Sequence, residues 1–182
     1  MNALLSGKRV ALLAENMYQE MELWYPLLRL REAGAQVVVV APHVGEYTSK
    51  LGYPVKAELA AAGAHAADFD AVVVPGGYAP DMMRRDADMV RLVREADEQR
   101  KVLATICHAG WMLCSAGVVR GRRATSFSSI QDDMKQAGAI WSDEECVVDG
   151  NLITARAPND LPAFCRAIIA ALSAGAGSVA AK

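Results

Sequence analysis

The sequence predicts an α/β fold, a sandwich of helices around a mostly parallel, doubly wound sheet, and three observations carry that expectation. Four apolar runs rich in β-branched residues, Arg9 to Ala14, Gln36 to Ala41, Asp70 to Val74 and Val102 to Ile106, alternate with helical patterns, as the strands of a parallel sheet do. The runs are continuously hydrophobic, as in Ala71-Val72-Val73-Val74, so helices are expected on both faces of the sheet. With 182 residues, 53% of them hydrophobic and 22% charged, the chain has the balance of one domain, residues 1–182, that builds its own core.

The first run, Arg9 to Ala14, opens the sheet. Beyond it Met21, Trp24, Leu27, Leu28 and Leu30 share one broad face up to Ala33-Gly34, which predicts the first crossover helix with Gly34 as its stop. Pro26 costs an interior helix about 3 kcal/mol, so the helix is kinked there or begins only a few residues before it. After the second run, Val44 to Val55 reads as a small excursion of short strands or turns, and Ala60 to Ala67 as a loop. His43 and His65 fall in these loops and carry no assigned role.

The third run leads into Pro75-Gly76-Gly77. Asp86 to Arg100, with Met89, Val90, Leu92, Val93 and Ala96 between charges, predicts the helix before the fourth run. Trp111 to Ala116 continues after that run as a short buried helix ending at Gly117. Ser129 to Ala137 predicts a helix stopped by Gly138, and two short strands are expected around Asp149-Gly150, a dipeptide favoured in tight hairpins. Asp160 to Leu172 is the last helix, and the tail from 174 to 182 has no packing pattern and is expected to fray.

Composition excludes several function classes. Net charge is −2, from 19 Lys and Arg against 21 Asp and Glu, so no basic excess exists to neutralise a nucleic acid or hold an acidic membrane surface. Cys107, Cys114, Cys146 and Cys165 form no C-x-x-C pair, which points to a reducing, cytoplasmic compartment. The N-terminal apolar run is too short for a signal peptide, and nothing approaches the roughly 20 apolar residues of a spanning helix. Neither H-E-x-x-H nor C-x-x-C occurs, which argues against a metal site, and no G-x-G-x-x-G or P-loop supports nucleotide chemistry. No cofactor is expected. Trp24, Trp111 and Trp141 read as core or interface aromatics.

The strongest chemical signal is Ala104-Thr105-Ile106-Cys107-His108-Ala109-Gly110, which places Cys107 between a buried strand and a helix. Ligands of open α/β sheets bind outside the carboxyl ends of strands, and the first amides of a helix favour thiolate over thiol. The turn also resembles a nucleophile elbow. The alternative is a buried core cysteine. His108 is a candidate acid, base or thiolate partner, or merely a solvent-facing residue at a helix start. A direct pair with its neighbour Cys107 requires an irregular turn.

Gly76 and Gly77 follow the third strand, where their amides could form an oxyanion hole, or simply a turn. Glu22 sits among Met21, Leu23, Trp24 and Tyr25. Burial there would raise its pKa and let a protonated acid donate to a thiolate. Glu20 is the competing carboxylate, and an exposed first-turn glutamate is the plainer reading of Glu22.

Together these segments resemble the PfpI family, within the superfamily that also holds the parkinsonism-associated deglycase protein and glutamine-amidotransferase-like domains. The resemblance runs through EMELWYPLLRLREAGAQVVVVAP, FDAVVVPGGYAPD, VLATICHAGWMLCSAGVVRGRRATSF, QDDMKQAGAIWSDEECVVDGNLITAR and NDLPAF, in that order. It implies a flavodoxin-like α/β/α sandwich, a cysteine nucleophile at Cys107 with His108 beside it, a contacting glutamate at Glu22 and an amide-donating turn at Gly76 and Gly77. It further implies a site at a subunit interface, where an acidic residue after the Gly-Gly turn, here Asp81, reaches the neighbour's histidine. Two departures are visible. Asp81 stands where peptidase-named members carry glutamate and is one methylene shorter, so that contact is lost or water-bridged, or Asp81 is an ordinary helix N-terminal residue. Ala109-Gly110 stands where many relatives have Gly-Pro.

The activities the resemblance implies share one reactive thiolate: peptidase, glyoxalase converting methylglyoxal to lactate, deglycase, and stress-response roles. A small oxoaldehyde needs only a small pocket, and no sequence feature announces a peptide groove, so a stress-associated enzyme acting on reactive carbonyls or their glycated adducts is the preferred expectation. An intracellular cysteine peptidase or amidase is one alternative. A redox-sensing or chaperone-like protein, with Cys107 oxidised and held by Glu22, is the other. Cys114 lies two helical turns on, beyond disulfide reach, and is expected in the core. A homodimer, or a hexamer of three dimers, is expected from the resemblance and from Tyr18, Trp24 and Tyr25 near a helix suited to a two-fold contact.

Overall fold

A computed structural model describes residues 4–174, so the tail expected to fray lies, beyond Ala174, outside the described residues. In chain order the strands and helices begin with β1 (Arg9–Leu13), α1 (Glu20–Glu32), β2 (Gln36–Ala41), β3 (Gly45–Thr48), β4 (Pro54–Ala57) and β5 (Leu59–Ala60). They continue with β6 (Ala71–Val74), α2 (Ala79–Met83), α3 (Ala87–Glu98), β7 (Val102–Ile106) and α4 (Gly110–Ala116). The last are β8 (Arg123–Ala124), α5 (Gln131–Gln136), β9 (Ile140–Trp141), β10 (Cys146–Asp149), β11 (Leu152–Ala155) and α6 (Leu161–Ala174).

The main sheet has the order β10-β11-β7-β6-β1-β2-β5. All its pairs are parallel except the β10–β11 hairpin, whose turn carries the expected Gly150. Every residue of β6 and β7 is buried, which explains why these strands read as unbroken hydrophobic runs. Helix α1 packs on α6, and α3 packs on α4, so helices flank the sheet as a flavodoxin-like α/β/α sandwich. One cluster of buried apolar side chains runs from Leu5 to Leu172. No helix among the described residues is long and apolar enough to cross a membrane.

Helix α1 begins at Glu20, capped by the Gln19 side chain on the Glu22 amide, and continues past a buried Pro26. The proline removes the amide that would have met the Glu22 carbonyl. Gly117, in the left-handed conformation at φ 74°, ends α4 as expected. The expected excursion is an antiparallel hairpin, β3–β4, outside the main sheet. It is sewn to the segment before α1 by Met17 N–H on Thr48 O at 2.7 Å and Lys50 N–H on Tyr18 O at 3.0 Å. The small parallel pair β8–β9 and the short α2 carry too few residues for a periodic signal. Tyr18, expected near an interface, is instead fully buried and spends its hydroxyl on the Tyr53 carbonyl.

Candidate active site

Strand β7 ends in extended backbone at Ile106, and Cys107 then turns left-handed at φ 62° before a 3₁₀ turn, Cys107–Ala109, feeds α4. A left-handed conformation costs a non-glycine residue about 1–2 kcal/mol, and it persists only where packing overrides it. Packing here is close on both sides. A Cβ at Gly110 would stand 2.6 Å from Met134 Sδ of α5, and one at Gly76 would stand 2.7 Å from Cys107 Cβ. The elbow expected from the sequence is present, and it holds Cys107 at 7% exposure.

Glu22, in the first turn of α1, is fully buried. Its Oε2 accepts the Gly76 amide at 2.8 Å, while Oε1 is buried without a hydrogen bond of its own, and the Cys107 thiol is a neighbour that interacts with this carboxyl. Burial pushes Glu22 up to about 7 against the opposing pull of the Gly76 amide and Cys107. Burial likewise pushes Cys107 up to about 12, reinforced by the Glu22 charge and opposed by the amides of Gly77 and His108. The helix-start amides therefore favour thiolate as expected, but burial and the adjacent carboxylate outweigh them. Once Glu22 takes a proton its repulsion disappears, and its O–H becomes a donor to sulfur. Glu20, the competing carboxylate, accepts the Leu51 amide at 2.7 Å at the hairpin turn. It serves the hairpin.

His108 meets Cys107 through the irregular turn: its Nδ1 lies 3.2 Å from Cys107 Sγ. Its ring stacks on Phe127 at 5.1 Å between centroids and meets Trp111 edge-on at 5.4 Å. Nε2 lies 3.2 Å from Ser129 Oγ. Burial, with Lys50 nearby, holds the imidazole below its usual value, so it is neutral at pH 7.

The two glycines divide their work differently from the expected oxyanion hole. The Gly76 amide is committed to Glu22, which leaves Gly77, together with His108, to face the sulfur. Gly77 has φ 81°, and a Cβ there would stand 2.5 Å from Gln19 N, so only glycine fits. A cavity of about 350 Å³ opens over Glu22, Gly77, Cys107 and His108. Lys50, Tyr78, Phe127 and Pro158 form its walls, and Lys50 is its one cation among the described residues.

Asp81 is not part of this cluster. It is exposed in the first turn of α2, and its carboxylate accepts no hydrogen bond from the described residues. Cys114, expected in the core, is half-buried on the seam between α4 and α5, with Sγ 3.7 Å from Met134 Sδ. Among the described residues no three His, Cys, Asp or Glu side chains gather where they could hold a metal ion. Sequence reasoning missed Lys50, Phe127 and Ser129. Their only signal was position, one in a hairpin turn and two in the segment after β8.

Comparison with known proteins agrees with this geometry. The profile described as the DJ-1/PfpI family matches residues 8–171. A Pyrococcus abyssi protein named a deglycase is 42% identical over 161 residues, spanning 88% of this chain and 97% of the relative. An Escherichia coli protein named protein/nucleic acid deglycase 2 is 35% identical over 171 residues, spanning 92% and 99%. A solved two-domain protein from Anabaena variabilis, containing DJ-1/ThiJ/PfpI-like and ferritin-like domains, superposes with a TM-score of 0.90 at 43% identity. That match covers 96% of this chain and 50% of the two-domain chain.

Proposed function

The chain belongs to the DJ-1/PfpI family, and from that premise we propose that it is a cysteine-dependent enzyme acting on reactive carbonyls such as methylglyoxal, or on their glycated adducts. The observation that carries this reading is the buried pair of Glu22 and Cys107 beneath a cavity of about 350 Å³. A space of that size suits a molecule of a few heavy atoms better than a peptide of several residues, which favours carbonyl chemistry over proteolysis. The relatives named deglycases support the same substrate class.

The reaction follows from the groups in place. The Cys107 sulfur attacks the aldehyde carbon, and its proton passes to the former carbonyl oxygen, giving a hemithioacetal. Glu22 or His108, as a carboxylate or neutral imidazole, then takes the proton from that carbon and returns one to the adjacent carbon. The electron pair of the broken C–H bond ends in the new C–H bond, and a thioester of a 2-hydroxy acid remains. Water cleaves it and regenerates the thiol. The sum is oxoaldehyde plus water to 2-hydroxy acid, with no net oxidation.

A second copy of the chain is the expected partner. An apolar groove of about 580 Å³ runs beside the site, lined by Met21, Trp24, Tyr25, Leu28, Leu51 and Tyr53, and Leu51 is 81% exposed. Contiguous exposed apolar surface of this kind marks contact sites, and aromatics are enriched in them. Four free cysteines suit the reducing cytoplasm.

The test is conversion of methylglyoxal to lactate by purified protein beside Cys107→Ser, in thiol-free buffer. Lactate that disappears in the variant supports the assignment. Equal turnover by both proteins removes it.

A further inference from the structure

We propose that Ser129, from the same chain, is the positioning residue of His108. The resemblance to the wider family placed an acidic residue from a neighbouring subunit in that role. Here the far nitrogen of the ring already has a partner: Nε2 is 3.2 Å from Ser129 Oγ, while Nδ1 is 3.2 Å from Cys107 Sγ. Sulfur, imidazole and hydroxyl form a continuous line within one chain.

The hydroxyl is held by more than its own contact. Phe127, two residues earlier, stacks on the imidazole and donates its amide to the Cys107 carbonyl at 3.3 Å. Ile130, one residue later, is buried at 1% exposure against the start of α4. Ser129 thus lies on a short 3₁₀ turn, Ser128–Ile130, pinned on one side to the elbow and on the other to the core. The imidazole is fixed at both nitrogens and on a ring face.

The chemistry of a hydroxyl differs from that of a carboxylate. Accepting from Nε2–H, Ser129 leaves the Nδ1 lone pair facing the thiol, the tautomer in which His108 can take a proton. A carboxylate in this place would also stabilise the imidazolium that follows. A neutral hydroxyl does so weakly, and it fits a histidine that works from its neutral form. Charged and titratable groups facing the ring are Cys107 from the elbow and Lys50 from the hairpin, with Glu22 across the sulfur. None of these competes for Nε2.

The activity arm of the test rests on the reading of the chain as a carbonyl enzyme, and the spectroscopic arm does not. Ser129→Ala, Ser129→Thr and Asp81→Asn are compared with the parent by the ¹⁵N shifts of His108, which report its tautomer, and by methylglyoxal kinetics. Ser129→Ala should mix the tautomers and lower kcat about five- to tenfold with KM unchanged, the effect of one neutral hydrogen bond lost at the reacting group. Ser129→Thr should restore both readouts, and Asp81→Asn should leave the His108 spectrum unchanged. A parent-like spectrum in Ser129→Ala, or a spectrum moved by Asp81→Asn, overturns the proposal even if no turnover is found. Absent turnover with a shifted Ser129→Ala spectrum keeps Ser129 and removes the carbonyl reading.

Discussion

Gly76 donates its amide to Glu22 across 54 residues of sequence, at 2.8 Å and with the carboxyl fully buried. The same contact explains why position 76 has no side chain. A Cβ there would stand 2.5 Å from Glu22 Oε2 and 3.0 Å from the His108 amide. Glu22 lies in the first turn of α1 and Gly76 at the end of β6, so the bond aligns two elements that the sheet alone would not register at this depth.

Gly76→Ala should therefore displace Glu22 and the elbow together. The expected cost is about 1–3 kcal/mol of stability, typical of overpacking a core position. Lactate formation should fall along with it. Urea unfolding and methylglyoxal turnover check both, and a variant with parental stability and rate would show that the close approach is not needed.

The raised value of Glu22 predicts a pH dependence of stability with a definite sign. A carboxyl at about 7 in the folded chain and 4.5 in its ordinary state binds more protons folded than unfolded between those values. Its contribution is fully present below about pH 4.5 and is lost as pH rises through about 7, a change of about 3 kcal/mol. Glu22→Gln keeps an acceptor for Gly76 and removes the titration. The difference in unfolding free energy between parent and variant should shift in the variant's favour from pH 5 to pH 8. That difference also separates Glu22 from His108, which is held below its ordinary value and acts with the opposite sign. A difference that stays flat over this window would mean Glu22 ionises normally.

Self-association should be sensitive to charge on the apolar groove. Leu28 is 58% exposed and Leu51 81% exposed, so glutamate at both positions should leave the monomer folded while breaking a dimer that needs roughly 1,200 Å² or more of buried surface. Light scattering should give a dimer for the parent and a monomer for Leu28→Glu/Leu51→Glu. A monomeric parent at micromolar concentration would sink the idea.

The sheet was legible because burial on both faces leaves a mark in consecutive residues, as in Ala71 to Val74. Cys107 was legible for a different reason: a small reactive residue between a hydrophobic run and a helix has few other places to be. Glu22 could be singled out by its apolar neighbours, yet its choice over Glu20 depended on which side of α1 faces the sheet, and that is settled by packing. Lys50, Phe127 and Ser129 left no trace because they reach the cavity from irregular segments, where no period relates one residue to the next. Tyr18 misled in the opposite way: its aromatic ring suggested an interface, whereas the hairpin covers it from within the same chain. The expected thiolate met a similar fate. Amide dipoles can be anticipated from a strand-to-helix turn, but the burial that opposes them cannot.

The β3–β4 hairpin leaves the main sheet and returns, bringing Lys50 to the cavity and touching the rest of the chain through its own backbone bonds. Its tip, Ser49 to Tyr53, can be lengthened, shortened or recoded without altering the strand on which the sulfur is mounted. Specificity and reactivity are thereby stored in separable pieces of the chain. New preferences could arise by grafting the hairpin alone, with the chemistry inherited intact.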